Sequence, residues 1–237
     1  MSVEILKKII FFIITLLLIV LFLSFANTYA NERNNDKRAK EIIDGGLIGD
    51  IEELNGRFTV NIARPDIRFD FELSGGAFMD PGCYLVHALV HFFGVTPKII
   101  STEVKTDETD NRIDIESSAN LVIEDKINVH IHSSIETKEE IQIWLEFIGK
   151  KGSLRLNNFV RSSWANLQII RENKKLKEEN FTNRSTFSFQ LEEFLKLIKV
   201  GANPRLENES KKVMQLLDEL YIWSDLPIRG ENGTNKS

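Results

Sequence analysis

The residues best suited to chemistry stand in one short stretch, GGAFMDPGCYLVHAL, residues 75–89. Read as a helix, it puts Asp80, Tyr84, His87 and His91 at i, i+4, i+7 and i+11, on one face. A carboxylate, a phenol and an imidazole in line have the makings of a proton-transfer site. A phenol acts as general acid only where its proton is made easier to lose, usually by a neighbouring ammonium. A carboxylate one turn away does the opposite, though it can bind a substrate hydroxyl or orient that ammonium. No lysine lies near the stretch in sequence, so the ammonium must come from elsewhere. Asp80-Pro81 also has a plain structural reading, an N-cap followed by a first-turn proline. Cys83 reads as a small buried apolar side chain.

Other chemistries find little support. No GxGxxG follows a strand; GGLIGD (residues 45–50) has a different spacing and follows a helix. Walker, HExxH and paired CxxC motifs do not occur. His130 and His132 alternate onto one strand face beside Asn128, but no third ligand is apparent, so no metal site is assigned. One cysteine forms no intramolecular disulfide. A net charge of −5, with 27% charged residues and no long basic stretch, gives no footprint for nucleic acid.

The elements that must position these residues are read from periodicity. NERNNDKRAKEIIDGG (31–46) turns helical and ends at Gly45-Gly46. Residues 48–62 read as a strand, and residues 63–74 as a loop broken by Pro65. Residues 75–93 read as one buried helix, apolar nearly all round. From Pro97 to about Asn157 the period is two, in five short runs at hairpin distances, which make an antiparallel sheet. The remainder reads as two helices, with Leu191, Phe194, Leu195 and Ile198 in one and Val213, Leu216, Leu217, Leu220 and Tyr221 in the other. Asn203-Pro204 separates them, and residues 231–237 form a loose tail. The fold class is α+β: one large, mostly antiparallel sheet with helices packed on one face, preceded by an N-terminal hydrophobic helix.

That leading helix is the apolar run at residues 9–26, whose only polar members are Thr15 and Ser24. It is at the lower limit for a membrane span and slightly long for a signal-peptide core. A cleavable signal ending near Ala30 and an uncleaved anchor both fit, so residues 1–30 are read as a signal peptide or membrane anchor, with membrane contact expected through residues 9–26. Lys7 and Lys8 favour export of the rest of the chain, whereas Arg33, Lys37, Arg38 and Lys40 count for the opposite orientation. The expected location is membrane-anchored or exported, periplasmic or extracellular.

Taken together, EIIDGGLIGDI, PDIRFD, GGAFMDPGCYLVHAL, ANPRLE and VMQLLDELYIWSDLPIRG resemble the C-terminal domain of Gfo/Idh/MocA-type oxidoreductases. The dihydrodiol dehydrogenase and glucose–fructose oxidoreductase branch is the nearest. The resemblance runs from about Lys37 to Gly230, and residues 31–230 are assigned to this domain. It implies the substrate-binding and dimerisation half of an NAD(P)-dependent oxidoreductase acting on a sugar, polyol or diol hydroxyl. By the same resemblance Asp80 and Tyr84 are catalytic, Tyr84 as the acid–base residue, and Arg68 and Asp80 bind substrate. Gly82 matches the glycine of the family's Asp-x-Gly-x-His/Tyr motif, and Pro81 departs from its usual aliphatic residue.

The family's Rossmann domain and its Glu-Lys-Pro lysine have no counterpart in these residues: fewer residues than one βαβ unit lie between Ala26 and Gly45. No cofactor is therefore assigned to the chain, and NAD or NADP is implied only if a separate Rossmann-domain protein is the partner. The resemblance also implies a homodimer through the sheet. The chain alone is expected to be inactive. Two alternatives stay open: a non-catalytic, membrane-associated or exported binding or assembly module, and a truncated remnant of the enzyme.

Overall fold

The structure is a computed structural model and describes residues 34–161, 164–172, 174–181, 186–200 and 204–229. Helix α1 (Asn34–Asp44) ends at the glycine pair, where Gly46 is left-handed (φ 65°) and its N–H donates to Ile43 O. Strand β1 (Ile51–Thr59) leads into a loop with two 3-10 turns, Ile67–Phe69 and Phe71–Leu73. A π-turn (Phe78–Gly82) and helix α2 (Cys83–Phe93) come next. Then come β2 (Lys98–Thr106), β3 (Asp114–Ile123), β4 (Ile127–Ser134), β5 (Gln142–Gly149) and β6 (Gly152–Asn157). Strands β7 (Asn166–Arg171) and β8 (Lys174–Asn180) and helices α3 (Thr186–Val200) and α4 (Pro204–Trp223) follow, the last elements among the described residues.

The strands form one sheet in the order β2-β3-β4-β1-β5-β6-β7-β8. β1 lies parallel to β4 and antiparallel to β5, and every other neighbouring pair is antiparallel. The α+β class and the large sheet are as expected, with two corrections. The five-strand run is not one continuous meander, because β1 is inserted between β4 and β5. The segment after Asn157 also holds two strands ahead of the helices. β8, KKLKEEN, lies at the sheet edge and is almost wholly exposed; charged edge strands resist further pairing but carry no apolar alternation to betray them.

Register sorts the two faces. Ala119, Ile131, Gly56, Leu145, Leu156 and Leu167 pair across six adjacent strands and face the helices. Gly56 is a fit to α2: a Cβ there would lie 3.1 Å from both Leu85 and Leu145. α4 packs on α2 and β2, and α1 on β6 and β7. One position along, Ser118, His132, Arg57, Trp144, Asn157 and Asn166 form a polar row on the opposite face. The apolar run 9–26, the hydrophobic helix expected there and the tail 231–237 lie outside the described residues. Among those described, no helix is long and apolar enough to cross a membrane.

Candidate functional site

Pro81 sets the local shape of the site. With no N–H it cannot donate to Ala77 O, so the Gly82 N–H does so at 2.8 Å and closes an i→i+5 turn. Gly82 also lets the turn close on the sheet, since a Cβ there would lie 2.9 Å from Ala77 O and 3.2 Å from Ser133 Oγ of β4. The expectation of a single helix from Gly75, capped by Asp80, is thus corrected. Helical backbone begins at Phe78, Asp80 is the third residue of the π-turn, and the residue in the N-cap position, Ala77, makes no side-chain cap.

The Asp80 carboxylate turns to Arg68 instead. Arg68 Nε donates to Asp80 Oδ2 at 2.8 Å, while its Nη1 and its backbone N–H each donate to Asp66 Oδ1 at 3.0 Å. Arg68 stands at the first 3-10 turn, which Asp66 caps, so a local turn aims the guanidinium at the π-turn. The pair is half open, with side-chain exposures of 39% for Arg68 and 35% for Asp80. Burial pushes the Asp80 carboxyl above its ordinary value, and Arg68 pulls it part of the way back.

The four side chains expected on one face do not share an environment. The π-turn sets Asp80 off the register of α2. Tyr84 is half-buried, its ring 5.3 Å from that of Phe58 on β1. His87 and His91 are buried and stacked on each other at 6.2 Å, with His91 edge-on to Phe92. Cys83 donates to Asp80 O at 3.0 Å; burial, then the Asp80 charge, push its thiol well up, so it is no nucleophile.

A second cluster, which spacing did not reveal, lies beneath this turn. Asp114, the first residue of β3, is fully buried. Its Oδ2 accepts from the Phe78 N–H and from Ser117 Oγ, both at 2.7 Å, and its Oδ1 accepts from Arg229 Nη2 at 2.9 Å and Tyr221 Oη at 3.2 Å. Burial raises the Asp114 carboxyl, against the pull of those donors and of Arg229. Two clues were present in the sequence: the Gly75-Gly76 pair, and an arginine in the LPIRG segment.

The histidine pair of β4 has ordinary partners. His130 Nδ1 lies 3.0 Å from Asn120 Oδ1, and His132 Nδ1 lies 2.9 Å from Ser118 Oγ. Burial, then the Arg57 charge, lower the His132 imidazole below its ordinary value. Among the described residues no group of three or more His, Cys, Asp or Glu could hold a metal. The pair Gly45-Gly46 ends a helix, and Gly75 and Gly76 pack against backbone and the buried cluster, so neither makes a phosphate cradle.

Known proteins share this fold. Residues 37–155 match the model of the GFO/IDH/MocA C-terminal domain, and the chain belongs to that family. A D-xylose 1-dehydrogenase (NADP(+)) of Haloferax volcanii is 27% identical over 191 residues, covering 78% of this chain and 57% of that protein. Among solved structures, the 3-ketoreductase KijD10 of Actinomadura kijaniata, with NADP and TDP-benzene, superposes with a TM-score of 0.76 at 17% identity. That match covers 84% of this chain and 61% of the other. An aldose-aldose oxidoreductase of Caulobacter crescentus, complexed with glycerol, gives 0.70 at 16% identity, covering 83% and 60%. At such identities the likeness is one of fold. The chain spans about three-fifths of these proteins' lengths.

Proposed function

We propose that this chain is the substrate-binding half of an NAD(P)-dependent oxidoreductase acting on a sugar, polyol or diol hydroxyl. The observation that carries the reading is the half-open Arg68–Asp80 pair, its carboxylate one turn ahead of Tyr84, which stands on α2. Such a pair can exchange part of its mutual bonding for hydroxyls, Asp80 accepting and Arg68 donating. Arg68 keeps its proton, so it orients and does not relay; Tyr84 is the group that exchanges the hydroxyl proton. Hydride chemistry belongs to a nicotinamide nucleotide held by a nucleotide-binding domain beyond the described residues, on this polypeptide or on a partner. The exposed apolar residues of α3, Phe187, Leu191, Leu195 and Ile198, offer such a domain a surface. The D-xylose and aldose activities of two of the relatives support a carbohydrate ligand.

In this reading two copies pair through the polar row of the open sheet face, and residues 9–26 hold the domain at or beyond a membrane. The test is a titration of the full chain with D-xylose and glycerol, and separately with NADPH, following Trp fluorescence. Saturable sugar binding that weakens about tenfold or more in Arg68→Ala and in Asp80→Asn is expected, the loss of one charge-assisted hydrogen bond. No binding by the wild type sinks the assignment. Saturable NADPH binding by these 237 residues alone would overturn the division of labour.

A further inference from the structure

The Arg68–Asp80 pair has no rigid element of its own. Arg68 stands in a loop between β1 and the π-turn, and the contacts around that loop lead to the far end of the chain. Arg229 Nε donates to Gly75 O at 2.7 Å, Nη1 to Pro227 O at 2.8 Å, and Nη2 to Asp114 Oδ1 at 2.9 Å. Its guanidinium lies over the Tyr221 ring at 4.1 Å and the Phe71 ring at 4.9 Å. Asp114 continues the grip along the chain: its carbonyl accepts from the Ala77 N–H and its carboxylate from the Phe78 N–H, both at 2.7 Å.

These bonds hold the backbone at Gly75, Ala77 and Phe78, where the chain enters the π-turn. The glycines show how tightly. A Cβ on Gly75 would overlap Arg68 O and lie 2.9 Å from Asp70 O, so the clamped strand of the loop lies directly against the backbone of Arg68. A Cβ on Gly76, whose φ is 135°, would overlap Asp114 Oδ1 and lie 2.8 Å from Arg229 Nη2 and Tyr221 Oη. Arg68 thus rests on Gly75, Gly75 on Arg229, and the start of the Asp80 turn on Asp114.

We infer that Arg229, with Asp114 and Tyr221, is a positioning residue: it sets the distance between Arg68 and Asp80 from beneath, through the Gly75–Phe78 backbone. The inference rests on the reading of Arg68 and Asp80 as the hydroxyl-binding pair, and it extends the site to the C-terminal end of the fold, outside the span of residues 37–155 matched by the family model. The part played by Arg229 is geometric. A guanidinium offers donors in a fixed planar fork that reaches Gly75, Pro227 and Asp114 at once, and a lysine ammonium cannot reproduce that fork.

The test is a double-mutant cycle read at Asp80 itself, on the full chain carrying carboxyl-13C aspartate, with Asp80→Asn to assign the signal. Arg68→Ala removes the facing cation, and the Asp80 titration midpoint should rise by about one pH unit. In an Arg229→Lys background the same Arg68→Ala change should move the midpoint by less than half as much, because the pair is no longer held together. In a Leu154→Ala background, where a buried residue is lost from β6, four places along the sheet from the β3 strand that carries Asp114, Tm falls and the full shift should persist. An undiminished shift in Arg229→Lys overturns the inference, and so does an equal reduction in Leu154→Ala. If Arg229→Lys does not fold, Tyr221→Phe takes its place under the same criterion. The readout needs no ligand, so failure of the wild type to bind sugar would refute the functional reading and leave this result standing.

Discussion

Two arginine–aspartate pairs occupy the same corner of the molecule and are built in opposite ways. Asp114–Arg229 joins residues 115 positions apart, with side-chain exposures of 0% and 1%. Asp80–Arg68 joins residues 12 apart and leaves more than a third of each side chain in water. The sealed pair spends its remaining donors and acceptors on the backbone of Gly75, Phe78 and Pro227 and on the hydroxyls of Ser117 and Tyr221, so it specifies where a loop runs. The open pair binds little besides itself and Asp66, so a ligand hydroxyl can replace a bond without exposing a buried charge. Desolvation is already complete at the first and still available at the second. On the proposed function, the difference separates a group that builds a site from one that occupies it.

The comparison breaks most visibly if the sealed pair proves dispensable. Arg229→Ala leaves the Asp114 carboxylate buried with neutral donors only. Removing one partner of a buried pair costs about 3–5 kcal/mol, which for a domain of this size is a fall in Tm of roughly 10 °C. Thermal unfolding followed by circular dichroism measures it. Arg68→Ala should cost no more than about 1 kcal/mol in the same experiment, as exposed pairs do. Equal losses would mean that the two pairs are alike and that exposure is a poor guide to role here.

How much of this was legible in the sequence depends on the range of the interaction. The helix ending at Gly45-Gly46, the α2 segment and the core positions Leu216, Leu217 and Leu220 come from local pattern, and the structure has them. Arg68, Asp80 and Tyr84 came from a family resemblance; spacing alone pointed to a line of Asp80, Tyr84, His87 and His91 that the π-turn breaks up. The Arg68–Asp80 contact itself was out of reach, since nothing local says which carboxylate a loop arginine will choose. The insertion of β1 between β4 and β5 is a long-range pairing, and β8 is an edge strand without apolar alternation. Asp114 and Arg229 were least legible. Each is a single charged residue with no motif, and only the fold shows that both are buried.

The smallest effect is the one that sharpens the comparison furthest. Burial raises the Asp80 carboxyl above its ordinary 3.8 more than Arg68 lowers it. The folded state therefore binds this proton more readily than the unfolded chain does. The stability that comes with proton uptake is full below about pH 3.8 and is lost as pH rises through the raised value. At neutral pH the ionised carboxylate is a net burden on the fold, and Asp80→Asn should be more stable than wild type. Water reaches a third of the side chain, so the gain should be only a few tenths of a kcal/mol. Denaturant titrations at pH 7 and pH 3.5 should show the gap at the first and its closure at the second. A loss of stability at pH 7 would show that Arg68 more than offsets the burial of Asp80. The open pair would then be a second structural lock, with less reason to let go of Asp80 for a substrate.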